Sequence, residues 1–163
     1  MSVNATSDAV NGRIDARLAE LGIELPAVAA PLAAYVPALA HEGLVYTSGQ
    51  LPTVGGELQG VGKVGAEVSA EAAKALARIS AINALAAVKA QIGSLDRVTR
   101  VVKVVGFVAS DPSFTGQPGV INGASELLAE VFGEAGAHAR SAVGVAVLPI
   151  DAPVEVEIVV AYA

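Results

Sequence analysis

Residues 96–110 read DRVTRVVKVVGFVAS, and this stretch constrains the chain more than any other. Branching at Cβ stiffens a side chain against helix and suits a pleated surface, so a run with six valines reads as a β-strand. Val101, Val102, Val104, Val105, Phe107 and Val108 occupy both parities of it. Alternate residues point to opposite faces, so the strand is expected to be buried on both sides. The closing run PVEVEIVVAYA poses the same problem. Val154, Val156, Ile158, Val160 and Tyr162 take one face, while Val159 and Ala161 follow Glu155 and Glu157 on the other.

Two crossover helices are available to cover such a sheet. The first is VSAEAAKALARISAINALAAVKAQIG, where Ser69 can cap the start, Glu71 favours the positive end and Gly93 suits a left-handed stop. The second contains INGASELLAEVF, with Val120, Ala124, Leu127, Leu128 and Val131 on one stripe and Pro118 near its start. Upstream, SDAVNGRIDARLAELGIELP predicts an amphipathic helix: Val10, Ile14, Leu18 and Leu21 recur at helical spacing, Ser7 can cap it and Gly22 ends it. A Pro/Ala-rich connector follows, then a hairpin turning at His41-Glu42-Gly43. GGELQGVGKVG fails the spacing of a phosphate loop and reads as a loop with one short strand, SDPSFTGQPG as a turn-rich loop, and SAVGVAVLP as another strand.

The resulting order, β-β-(β)-α-β-α-β-β, puts both crossing helices on one face of a single sheet, an α+β arrangement. The other face then exposes more apolar surface than a soluble monomer shows, which implies a homo-oligomer packing sheet against sheet. A hydrophobic fraction of 53% against 16% charged residues points the same way. Domain organisation is expected to be an N-terminal helix and connector over residues 1–33, then one domain over 34–163.

Several function classes are excluded. There is no cysteine, hence no thiolate chemistry or Cys-zinc site. The net charge is −6 without a basic cluster, so no nucleic-acid partner is expected. No secretory signal or strongly apolar spanning run is visible, so no membrane is expected and the default location is the cytoplasm. His41 reads as a turn residue and His138 as an interface contact, and two histidines so far apart make no metal site.

Against that background Arg140 stands out. From Val104 to Ala163 it is the only Lys or Arg, among seven Asp and Glu. Its guanidinium offers a flat fork that matches a carboxylate. The partner is either a small anionic ligand or, at a subunit interface, a protein acid: Glu155, Glu157 or a neighbouring carboxylate. Those glutamates share one strand face, where a carboxylate can direct water and carry its proton, or can simply edge a solvated strand. No serine has a persuasive base and orienting acid in the sequence, so a hydrolase triad is not expected.

At TSGQLP, INGASELLAEVF and ARSAVGVAVLPIDAPVEVE the chain resembles the YjgF-like, or reactive intermediate deaminase (Rid), family, also called endoribonuclease L-PSP. The likeness runs from about Ala34 to Ala163, and the N-terminal helix with AYVPA is similar to a longer subfamily. The resemblance implies a chorismate-mutase-like (ferredoxin-like) fold and a homotrimer with a central β-barrel and active sites between subunits. It also implies cofactor-free hydrolysis of enamines and imines, such as 2-aminoacrylate, to 2-keto acids and ammonia. By the same resemblance Arg140 grips the substrate carboxylate and Glu155 directs water. Tyr35 lines the pocket, Ser48 and Gly49 form the cleft floor with backbone near Ala142, and Asn122 stands at the second helix. Each also has an ordinary reading: Tyr35 as core, Ser48-Gly49 as a turn, Asn122 as a backbone-bonding residue. The chain departs from the family at Ala142, where Cys is common, and at Gly144, where glutamate is frequent. The loop before Asn122 is longer and the approach to Arg140 shorter. A carboxylate-binding protein without catalysis is the alternative, and a ribonuclease a weaker one.

Overall fold

The computed structural model describes residues 12–28 and 34–163. In order these form α1 (Arg13–Glu20), β1 (Ala38–His41), β2 (Leu44–Thr47), β3 (Thr53–Val54), β4 (Glu57–Leu58), α2 (Ala70–Ile92), β5 (Val98–Ala109), α3 (Gln117–Phe132), β6 (Ala139–Val145) and β7 (Val154–Tyr162). The main sheet runs β1-β2-β7-β5-β6, and β3 and β4 make a separate hairpin. Only β5 and β6 pair in parallel within the main sheet. A parallel pair needs a crossover, which α3 supplies. This is the mixed α+β sheet expected from the sequence, with α2 and α3 on one face.

Local chemistry sets the boundaries. Ser69 Oγ accepts a hydrogen bond from the Ala72 N–H at 3.1 Å, and Gly93 closes α2 at φ +86°. Pro118 sits in the first turn of α3, where a missing N–H costs nothing. The β1–β2 turn holds both Glu42 and Gly43 at positive φ, as a two-residue hairpin turn requires. Ile14 and Leu18 bury the inner face of α1, and Gly22 follows its end. The calls on Ser7, Val10 and connector residues 29–33 lie outside the described residues. The expected short strand is Glu57–Leu58, which pairs with Thr53–Val54.

Within a single copy β5 is buried on its helix face only: Val101, Val104 and Val108 are fully buried against the helices, but Val102 is 38% exposed and Val105 and Phe107 are half-buried. The register against β7 shifts between Val98/Arg100 and again between Val101/Lys103. An irregular extra residue breaks the two-residue alternation, so counting parity across it misassigns faces. Beyond the shift, Lys103, Val105 and Phe107 share the open face with Val159, Glu157 and Glu155 of β7. Leu39, Tyr46 and Val143, exposed at 57%, 44% and 44%, lie on the same side.

The helix side is tightly packed. α2 is long and apolar enough to cross a membrane by length and composition, yet its buried Leu76, Leu85, Val88 and Ile92 lie in the core beside Leu127 and Ile158. The two helices touch at Gly123, where an added Cβ would lie 2.0 Å from the Lys74 carbonyl oxygen. Backbone cannot swing aside as a side chain does. Gly123→Ala is therefore expected to cost about 2–3 kcal/mol or more in urea unfolding, as overpacking does.

Candidate functional site

Arg140 pairs with Val104 on the edge strand β6, so its side chain rises on the helix side of the sheet. There it meets α3. Nη1 donates to Asn122 Oδ1 at 2.8 Å and to Ser125 Oγ at 3.2 Å, and Nη2 donates to the Pro118 carbonyl at 3.3 Å. Residues 118, 122 and 125 fall on one face of the helix. All three acceptors are neutral. Among the described residues of one chain Arg140 meets no carboxylate, so Glu155 and Glu157 of the same copy are not its partners. Two of its five N–H donors, Nε–H among them, have no acceptor among the described residues.

Glu155 occupies the other side. It pairs with Phe107 on the open face, and its carboxylate lies across Gly49 so closely that a Cβ there would fall 1.8 Å from Oε1. The Gln50–Val156 bridge, with backbone bonds of 2.8 and 3.0 Å, holds the two segments together. A side chain at position 49 would displace the Glu155 carboxylate from this place. Burial first, and then the charge of Glu157, raise the Glu155 carboxyl above the ordinary glutamate range. A carboxyl raised on folding favours the fold while protonated, and loses that contribution as pH rises through its folded value. Glu155→Gln should therefore raise Tm at neutral pH relative to the native chain. The gain should shrink to nothing below the ordinary carboxylate range, as read by thermal melts across pH.

Ser48 and Tyr35 belong to this second cluster. Ser48 Oγ donates to the Val36 carbonyl at 2.6 Å and Ser48 N–H to the Pro37 carbonyl at 2.8 Å, tying the Tyr35 segment down. Tyr35, 59% exposed, lines a cavity of about 550 Å³ together with Pro37, Gly49, Leu51 and Asn83. Asn83 Nδ2 donates to the Leu51 and Thr53 carbonyls and fixes that wall.

Within one chain the two clusters do not meet. Two strand spacings, about 10 Å, and three residues of strand, also about 10 Å, separate Arg140 from Glu155, on opposite faces. Ala142 lies with Arg140, paired to Gly106 and packed on the core. At Gly144 the Gln117 amide nitrogen comes within 2.9 Å of where a Cβ would be, held by bonds to the Phe114 carbonyl and Ser110 Oγ. Gln117 thus occupies the space beside Gly144.

Beside Arg140 lie Ser125, which nothing in the sequence singled out, and His138, expected there as an interface contact. Ser125 Oγ is 2.8 Å from His138 Nε2, and His138 Nδ1 is 2.6 Å from the Gly136 carbonyl. A serine therefore does have a base beside it, oriented by a carbonyl and not by an acid.

A family model described as "YjgF/chorismate_mutase-like, putative endoribonuclease" matches residues 15–161. Protein TCP17 of Trypanosoma cruzi is 48% identical over 153 residues, covering 92% of this chain and 94% of that protein. Among solved structures, Atu1372 of Agrobacterium tumefaciens, a protein of unknown function, is 45% identical with a TM-score of 0.88. That likeness covers 96% of this chain and 97% of the other. TdcF of E. coli with bound serine is 25% identical with a TM-score of 0.60, over 85% and 93% of the respective chains.

Proposed function

The chain belongs to the YjgF/chorismate mutase-like family, and on that premise we propose that it hydrolyses small carboxylate-bearing enamines and imines to 2-keto acids and ammonia. The observation that carries this reading is Arg140: a half-buried guanidinium held by three neutral acceptors, with two donors left for an anion. Such a fork binds both oxygens of one carboxylate. Serine, the ligand of the TdcF relative, carries such a group.

The complete site in this proposal lies between copies of the chain packed as a homotrimer through the open sheet face. Arg140 and Asn122 come from one copy, and Glu155, Gly49 and Tyr35 from its neighbour. Leu39, Tyr46, Val105 and Val159 supply apolar surface for that contact. Arg140 holds the substrate carboxylate. An enamine first takes a proton on its β-carbon to become the imine. Glu155 takes a proton from water as the oxygen adds to C2 and gives it to the nitrogen, then passes the proton of the new hydroxyl to that nitrogen as the C–N bond breaks, leaving the keto acid and ammonia. A carboxyl raised toward neutrality serves both transfers better than an ordinary one. Each step uses only water and side chains.

The net charge of −6 supports this reading over cleavage of RNA, since no cluster of cations is present to hold phosphates. The direct test couples an amino acid oxidase to the protein and traps surviving imine with semicarbazide. Faster loss of the trapped imine is expected, and loss no faster than without protein overturns the proposal.

A further inference from the structure

We propose that Ser125 and His138 are positioning residues for Arg140: the imidazole fixes the direction of the serine hydroxyl, and the hydroxyl presents a lone pair to the guanidinium. The inference rests on Arg140 being the carboxylate holder proposed above, and its geometric half stands without that reading.

The proton positions follow from the partners. The Gly136 carbonyl can only accept, so the 2.6 Å contact requires hydrogen on His138 Nδ1. In the neutral ring Nε2 is then an acceptor. The 2.8 Å contact with Ser125 Oγ must carry the serine's own hydrogen. With its hydrogen committed, the hydroxyl keeps lone pairs for Arg140 Nη1–H at 3.2 Å. Without His138 the hydroxyl could rotate and point its hydrogen toward a cation.

The start of this relay is itself fixed. Gly136 is buried against the end of α3, where a Cβ would lie 2.3 Å from the Leu128 carbonyl oxygen and 3.0 Å from Ala129 Cα. Its carbonyl has little room to move. The chain thus leaves α3, turns at Gly133–Gly136, and returns through His138 to brace a serine on the same helix. His138 lies two residues before the arginine that the serine holds.

The test uses full-length Ser125→Ala, His138→Ala and His138→Gln, because a glutamine oxygen can replace Nε2 as acceptor. Two readouts are taken: the Arg140 Nε–H signal in ¹⁵N NMR without ligand, and pyruvate affinity by calorimetry. Ser125→Ala is expected to bind pyruvate about tenfold more weakly, or about 1.4 kcal/mol. His138→Ala should lose about three- to fivefold, as for a weakened hydrogen bond to a charged group, and the Arg140 Nε–H signal should broaden in both alanine variants. His138→Gln should return within about twofold of the native affinity with a sharp signal. Unchanged signals and affinities in the two alanine variants overturn the inference, as does a folded His138→Gln that behaves like His138→Ala. If the native chain binds no pyruvate while the signals still follow this pattern, the relay stands and the carboxylate reading of the site falls.

Discussion

Arg140→Ala is expected to lower kcat/KM for imine hydrolysis by at least about a hundredfold, a loss of about 2.7 kcal/mol of transition-state stabilisation. The expectation follows from what surrounds the side chain. Asn122, Ser125 and Pro118 hold the group through neutral oxygens, so among the described residues of its own copy no carboxylate competes with a bound anion. Hydrogen bonds to charged groups contribute about 1.5–3 kcal/mol each, and a carboxylate on this fork makes two. Because substrate and transition state share the carboxylate, much of the loss should appear in KM. Arg140→Lys should recover only part of it, since an ammonium keeps the charge but not the planar fork. The protein need not lose its fold, because the edge-strand position is bridged by other backbone bonds. A fall of less than about threefold, measured by semicarbazide trapping, would mean that the anion is held elsewhere.

Much of this was legible because the signals are local. Ser69 and Gly93 end α2 where their chemistry says, and the apolar stripe of α3 faces the core. Arg140 announced itself as a solitary cation. What escaped depends on strand order and on contacts closed through space. Nothing local says that β6 runs parallel to β5 while β7 runs antiparallel, so nothing showed that Arg140 and Glu155 fall on opposite faces. The register shift in β5 is silent in a run of valines. Ser125 looks like any polar residue on a helix, and His138 lies thirteen positions away until the turn at Gly136 folds it back. A histidine two residues before the arginine, just ahead of β6, was the one available hint.

The opposed faces lead to the second large effect. If each site takes Arg140 from one copy and Glu155 from the next, the two single variants fail for different reasons in different halves of the site. Glu155→Gln should lower kcat by about a hundredfold or more with little change in KM, the usual scale for loss of a proton-transfer group. Arg140→Ala should fail mainly in binding. Mixed by co-refolding at equal amounts, the two inactive chains should regain activity. A site works when its arginine half comes from a Glu155→Gln chain and its glutamate half from an Arg140→Ala chain. Random assembly in a closed ring with head-to-tail contacts gives that combination at about one site in four. Recovery of about a quarter of native activity is therefore expected, whereas the double variant co-refolded with an equal amount of native chain should cut the activity of that native chain to about half, since only about one site in four then has both halves native. Were both halves supplied by one chain, every site in the mixture would carry a defect and no activity would return. The same mixture separates this reading from one in which Glu155 is only a solvated strand edge, because that variant would never have lost activity. The acid and the guanidinium are too far apart in one copy to touch one small molecule. Recovery on mixing is thus the measurement that decides whether assembly, and not the fold of a single chain, creates the catalytic geometry.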